Sequence, residues 1–211
     1  MTNEEKQKIK TLEALTKKLY KKLDKKLLFH GWHHIQFVKN KAKEFSKFID
    51  ANQFLVESAA IVHDLNYIAG KSFNPESGFI LAQNILTDTN YTNTEIERLK
   101  RIILESHTKI RTSKISNEGK ALSDADTLFK ALPITPIVFA SKFIQENNIN
   151  IEKLATKVCE EQNRLMRDNI YFYIPAVQQK YLSWAKTNLS LWNNVEESLK
   201  DKDIKKLLEI I

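Results

Sequence analysis

All five histidines of this 211-residue chain, His30, His33, His34, His63 and His107, lie at or before residue 107. Imidazole is both a metal ligand and a proton carrier near neutral pH, so the neighbours of each ring decide what it does. His63–Asp64 follows the apolar run Ala59, Ala60, Ile61, Val62. An imidazole and a carboxylate side by side on a buried helix are costly to desolvate without a partner. Adjacent helical positions diverge by roughly 100°, so the two side chains reach one ion only where the helix end opens on a cavity. The alternative is that Asp64 caps the following loop and His63 is a hydrogen-bonded core residue.

His34 lies in the stretch FHGWHHIQFV. His30 and His34 have the four-residue separation of a zinc pair, but Gly31–Trp32 lacks the glutamate that zinc proteases place between them. His30 and His33 read as surface or pocket-rim residues, since three neighbouring ligands would crowd one ion. Asp124 and Asp126 stand in ALSDADTLFKAL. Ser123 or Asp124 is a natural N-cap for a helix starting there. Asp126, followed by Leu128 and Phe129, faces an apolar surface, and a capping role does not account for it. One carboxylate as cap and the other as ligand is a simple division.

The elements that must position these residues are helical. Ile9, Leu12, Leu15, Leu19 and Leu23 recur at helical spacing over 3–29, and Ile35, Val38, Ala42, Phe45 and Phe48 do so over 32–49. Asp50 or Asn52 can cap a third helix, whose broad apolar surface predicts a central, buried element. Residues 67–74 read as a loop and Pro75 as a first-turn residue. Further helices are expected over 76–87, over 93–108 entered through Asn93 or Thr94, and from near Lys120 to before Pro133. The stretch 112–119 between them reads as a loop, and 150–169, 175–198 and 201–210 continue the helical pattern. Residues 171–174 are the best short candidate for a strand. The expected fold is one all-α domain over 1–211.

Four glycines and four prolines leave little material for the turns of an all-β fold. No apolar run is long enough to span a bilayer, and the charged N-terminus MTNEEKQKIK lacks the apolar segment of a secretory signal. The lone Cys159 cannot form an internal disulfide and reads as a buried thiol. Cytoplasm is the expected compartment. The formal charge of +7 is carried largely by lysines along helical faces, such as Lys17, Lys18, Lys21, Lys22, Lys25 and Lys26. They read as solvated faces rather than a nucleic-acid surface, although a basic balance favours small anionic ligands in general.

Taken in order, HGWHHIQFV, IVHDLNY, SHT and LSDADTLF resemble the H…HD…D signature of the HD superfamily, and in particular its small bacterial metal-dependent phosphohydrolases. The resemblance covers about 28–135 and implies an HD-like helical bundle there, with additional C-terminal helices over about 136–211. It implies that His34, His63, Asp64 and Asp126 hold a metal, with Asp124 as the alternative to Asp126. Glu76 and Ser77 resemble a Glu-then-Ser feature that follows the HD helix in some members. Leu65–Asn66 departs from the frequent Ile–Gly continuation.

Two imidazoles and two carboxylates suit a divalent ion such as manganese, iron, cobalt, nickel or zinc, with magnesium less suited to histidine. The activity so implied is hydrolysis of a phosphomonoester or phosphodiester in a small phosphorylated molecule, a nucleotide being one class. Asp64 is then expected to orient the attacking water, with Asp126 as its alternative, and His107 to assist the leaving oxygen or bind phosphate. Lys109 and Arg111 are candidates to hold phosphate, Arg111 bidentately. Trp32 and Tyr67 are candidates to stack a base, against ordinary core packing. Two rival functions share the same ligands: a regulatory module that binds metal and ligand without turnover, and an oxygen-activating metalloenzyme.

Overall fold

Thr2 opens α1 (Asn3–Lys22) with a capping box, its hydroxyl taking the Glu5 N–H while the Glu5 carboxylate takes the Thr2 N–H. The computed structural model describes residues 1–70 and 75–209, with side chains at 75–77 and 209 outside the description. Helix α1 buries Ile9, Leu12, Thr16 and Tyr20, whereas Leu15 is 38% exposed. It ends well before residue 29. The backbone N–H groups of Phe29 and His30 are drawn instead to the Glu146 carboxylate, which holds this segment off the helix axis.

Then follow α2 (Trp32–Ser46), α3 (Gln53–Val62), the single turn α4 (Leu65–Ile68), α5 (Pro75–Asp88) and α6 (Asn93–Ser106). Asn52 caps α3, and every residue from Phe54 to Val62 is buried, as a helix surrounded on all sides requires. Helix α2 buries Ile35, Val38, Ala42 and Phe45, but Phe48 lies beyond its end and is 52% exposed. The expected 67–74 loop is partly helix, since α4 takes in Tyr67 and Ile68; residues 71–74 lie outside the described residues. Gly70, at φ +74°, leaves α4 through left-handed backbone that favours glycine. Gly78 has a different reason: a Cβ there would stand 2.2 Å from the Asn66 backbone nitrogen, so α5 crosses α4 in backbone contact. Helix α6 is capped by Thr92 in a second capping box with Glu95, just before the expected caps.

Helix α7 (Asn117–Ala131) begins earlier than expected because the Ser116 hydroxyl accepts the Gly119 N–H. Ser123 and Asp124 therefore lie mid-helix and are not its N-cap. The chain ends in α8 (Thr135–Val138), α9 (Ala140–Asn147), α10 (Ile151–Arg167), α11 (Pro175–Ser198) and α12 (Lys202–Glu209). No strand occurs among the described residues, and 171–174 is the extended lead into α11 rather than a strand. The fold is all-α, a helical bundle.

Helix α2 lies between α3 and α7, its principal neighbours. Ile35, Phe45, Leu122 and Leu128 are at most 1% exposed in this packing, and each contributes about 1.5–3 kcal/mol by burial. A second, smaller apolar cluster joins Phe29 and Phe129 to Phe143, Leu154, Ala155, Cys159, Trp192 and Leu199. No helix among the described residues is long and apolar enough to cross a membrane.

Candidate metal centre

His34 sits in the first turn of α2, whose N-cap is Gly31. His63 closes α3 with helical dihedrals, and at Asp64 the chain leaves the helix with φ −106° and ψ 19° before α4 begins. This break frees the pair from the roughly 100° spacing of a continuous helix. His34 Nε2 lies 3.1 Å from Asp64 Oδ2, 3.4 Å from Asp126 Oδ1 and 3.3 Å from His63 Nε2. His63 Nε2 is also 3.4 Å from Asp64 Oδ2.

Ligand bonds of about 2.0–2.1 Å put neighbouring donors roughly 3.0 Å apart in an octahedron and 3.3–3.4 Å apart in a tetrahedron. His34, His63 and Asp64 each offer an atom within 4.8 Å of the others, so these three could hold one divalent ion, and Asp126 adjoins them through His34. The mixed nitrogen and oxygen set suits the borderline transition ions. His63 Nδ1 is 2.9 Å from the Ala60 carbonyl, and donating there fixes the tautomer that turns Nε2 towards Asp64. His34 Nδ1 is buried without a partner, and its ring is set by Phe129 edge-on at 4.6 Å and by Phe29.

The side chain of His34 is 1% exposed, whereas Asp64 and Asp126 keep 15% and 13%. The cluster therefore opens on its carboxylate side. Burial works against charge on His34, but Asp126 and Asp64 outweigh it and push its pKa up to about 9. Both carboxylates are held below the usual range despite burial, Asp64 chiefly by His63 and His34, Asp126 chiefly by Lys130.

The opening is a cleft of about 140 Å³ lined by His63, Asp64, Asp126, His107, Lys109 and Lys130 from the first two thirds of the chain. His107, at the C-cap of α6, has its pKa lowered by burial and by Lys130. Lys109 is exposed at the cleft margin. The expectation for Arg111 is corrected. Arg111 is 3% exposed, and its guanidinium donates to Thr127 Oγ1 at 2.7 Å and to the Ser106 carbonyl at 3.0 Å. It ties α6 to α7 and does not line the cleft.

Asp124 is fully buried on the other side of α7 from Asp126 and accepts the backbone N–H groups of Tyr173 and Ile174 at 2.8 and 2.9 Å. It anchors the entry to α11 rather than capping α7. Of the two carboxylates, Asp126 is the one beside His34.

His30 is buried, stacks on Tyr67 at 3.6 Å and contacts Glu146 of α9 through Nδ1. His33 is exposed and stacks on Phe139. Tyr67 lines the cleft and Trp32 does not. Burial pushes the Cys159 thiol up to about 11, which leaves it inert near neutral pH. The side chains of Glu76 and Ser77 lie outside the described residues.

The opposite wall comes from the C-terminal third: Phe143 of α9, Leu154, Lys157, Glu161 and Gln162 of α10, and Trp192 of α11. Sequence reasoning missed these residues and Lys130. For Lys130 a signal existed, a lysine one turn after Asp126 within the apolar run Leu128–Leu132. For α10 there was none, because lysine and glutamate four apart on an amphipathic helix read as an ordinary solvated pair.

No family model matches the chain, and no solved structure does. The chain is 29% identical over 102 residues to the uncharacterized protein YpgQ of Bacillus subtilis (strain 168). That similarity spans 47% of this chain and 50% of the relative, so it covers about half the length of each.

Proposed function

We propose that the chain is a metal-dependent phosphohydrolase of the HD type, cleaving a phosphomonoester or phosphodiester bond in a small molecule, with nucleotides as the first substrate class to test. The observation that carries this reading is the group His34, His63 and Asp64, with Asp126 beside His34, next to a cleft whose lining includes His63, Asp64, Asp126 and lysines. A bound divalent ion supplies Lewis-acid polarisation of a phosphoryl oxygen and acidifies water. Within the chain, His34, His63 and Asp64, with Asp126 beside them, would hold that ion. Asp126 spends its outer oxygen on Lys130, 3.1 Å away, which leaves Asp64 the better placed carboxylate to orient the attacking water. In hydrolysis the water oxygen bonds to phosphorus, the ester P–O bond breaks, and a proton passes to the leaving oxygen. His107, on the cleft wall, is the candidate to deliver it. Lys109 at the margin attracts the anionic substrate.

The test is removal and return of metal. The chain, stripped with a chelator and reloaded separately with manganese, iron, cobalt, nickel, zinc or magnesium, is assayed on nitrophenyl phosphate mono- and diesters and on nucleotides. Turnover restored only by divalent metal is expected, with helical circular dichroism retained throughout. Turnover that survives verified metal removal overturns the reading. Tight metal and nucleotide binding with no hydrolysis of any phosphoester would make the chain a binding module instead.

A further inference from the structure

Lys130 stands one helical turn beyond Asp126 on α7, with its ammonium 3.1 Å from Asp126 Oδ2, 3.2 Å from Thr108 Oγ1 and 3.5 Å from Glu161 Oε1 of α10. An ammonium has three donors, and these three oxygens come from three separate parts of the fold. Burial works against charge on the lysine, but Asp126 and Glu161 outweigh it and hold its pKa above the usual lysine range.

For metal holding alone this cation is a handicap. It draws on the outer oxygen of a ligand carboxylate and repels any ion that the inner oxygen holds. It makes sense where a second anion must enter beside the ion. The lining carries Asp64, Asp126 and Glu161 against Lys109, Lys130 and Lys157, so its fixed charges balance. A divalent ion then leaves an excess of two positive charges, which matches a phosphate dianion.

We propose that Lys130 is a phosphate-binding residue, its ammonium exchanging Glu161 for a phosphoryl oxygen while Asp126 and Thr108 keep it in place. This rests on the metal-dependent phosphohydrolase reading and names the residue that positions the phosphoryl group. Lysine suits the task as a point charge that needs no bidentate geometry. Glu161 is then the ammonium's partner within the chain and the phosphate's competitor.

The test titrates Mn²⁺ by calorimetry into the metal-free chain, and inorganic phosphate into the chain with Mn²⁺ or with chelator. Lys130→Met should bind Mn²⁺ at least as tightly as the unaltered chain, because a repelling charge is gone. Its phosphate affinity with Mn²⁺ should fall about tenfold or more, the loss of a hydrogen bond to a charged group. Lys130→Arg should restore most of that affinity. Glu161→Gln, on a different helix, should tighten phosphate binding, so the proposal stays open to refutation if Lys130→Met does not fold. Unchanged phosphate affinity in folded, Mn²⁺-loaded Lys130→Met overturns the proposal, as does parallel loss of Mn²⁺, which would make Lys130 a support for Asp126. Unchanged or weaker phosphate binding in Glu161→Gln also counts against it. Failure of the unaltered chain to bind Mn²⁺ removes the metal reading, while phosphate still held through Lys130 under chelator would keep the lysine's role.

Discussion

On one side of the cleft, His34, His63, Asp64 and Asp126 stand on short side chains at the ends or middle of α2, α3 and α7, helices locked into the larger core. On the other side, α9, α10 and α11 present rings and long flexible chains, Phe143, Trp192, Lys157, Glu161 and Gln162, from a separate and smaller apolar cluster. On the proposed reading the first side would have little room to adjust, because its donors would have to meet a point that bonds at about 2.0–2.2 Å. The second needs only shape and charge, since rotamer changes of a few ångströms leave a lysine or a tryptophan effective. On the proposed reading, holding an ion and choosing a substrate would fall mainly to different clusters, which meet where Phe29 and Phe129 pack on His34 and where Lys130 joins Asp126 to Glu161.

The largest expected effect lies on the first side and separates two carboxylates of one helix. Asp126→Ala removes an anionic donor from the cluster and should abolish metal retention and lower phosphoester turnover at least about 10³-fold, or some 4 kcal/mol. Asp124→Ala should keep the metal but leave the Tyr173 and Ile174 N–H groups unsatisfied, costing about 2–4 kcal/mol of stability. Metal analysis beside urea denaturation distinguishes the two. Metal lost from a folded Asp124→Ala protein would reverse the assignment.

A second change addresses the independence of the two sides. Trp192 is 6% exposed in the smaller cluster, and Trp192→Ala should cost about 3–5 kcal/mol of stability. Mn²⁺ affinity of the protein that remains folded should stay within about twofold, because Phe29 and Phe129, rather than Trp192, are the members of that cluster that bear on the His34 ring. Loss of Mn²⁺ binding in step with stability would show that the smaller cluster also sets the donor geometry.

The same contrast explains what could be read from the sequence. Helix positions followed from apolar periodicity, so α11 emerged with its observed bounds, and α3 was recognisable as a buried helix from its unbroken apolar surface. Convergence of His34 with the His63–Asp64 pair was an expectation from the resemblance to the HD superfamily, since the residues alone left open a capping Asp64 and a hydrogen-bonded core His63. Termini were less legible. The Ser116 cap moved the start of α7 and turned Asp124 from a supposed cap into an acceptor for residues 49 and 50 positions away. Such pairings depend on how helices stack, which local spacing does not encode. The α10 wall was illegible for the same reason, since only tertiary packing tells a cleft lysine from a solvated one.

The smallest expected effect concerns Arg111, where expectation and structure part most clearly. Beside Lys109 in sequence, it had the look of a second phosphate-holding cation, yet its guanidinium is buried against Thr127, Ser106 and Ser123. Arg111→Lys keeps the charge but cannot reproduce a planar fork that bonds Thr127 through one nitrogen and two carbonyls through the other. The net loss should be about 1–2 kcal/mol, read as a lowered urea midpoint. Phosphate affinity of the Mn²⁺-loaded protein should not change, because the ammonium of the variant would still lie between α6 and α7, away from the cleft. Lys109→Ala offers the matching control at the margin, where a modest weakening of phosphate binding that fades with added salt is expected. Should Arg111→Lys instead weaken phosphate binding while leaving stability intact, the residue would have to reach the cleft in solution, and the division between a holding side and a selecting side would have to be redrawn.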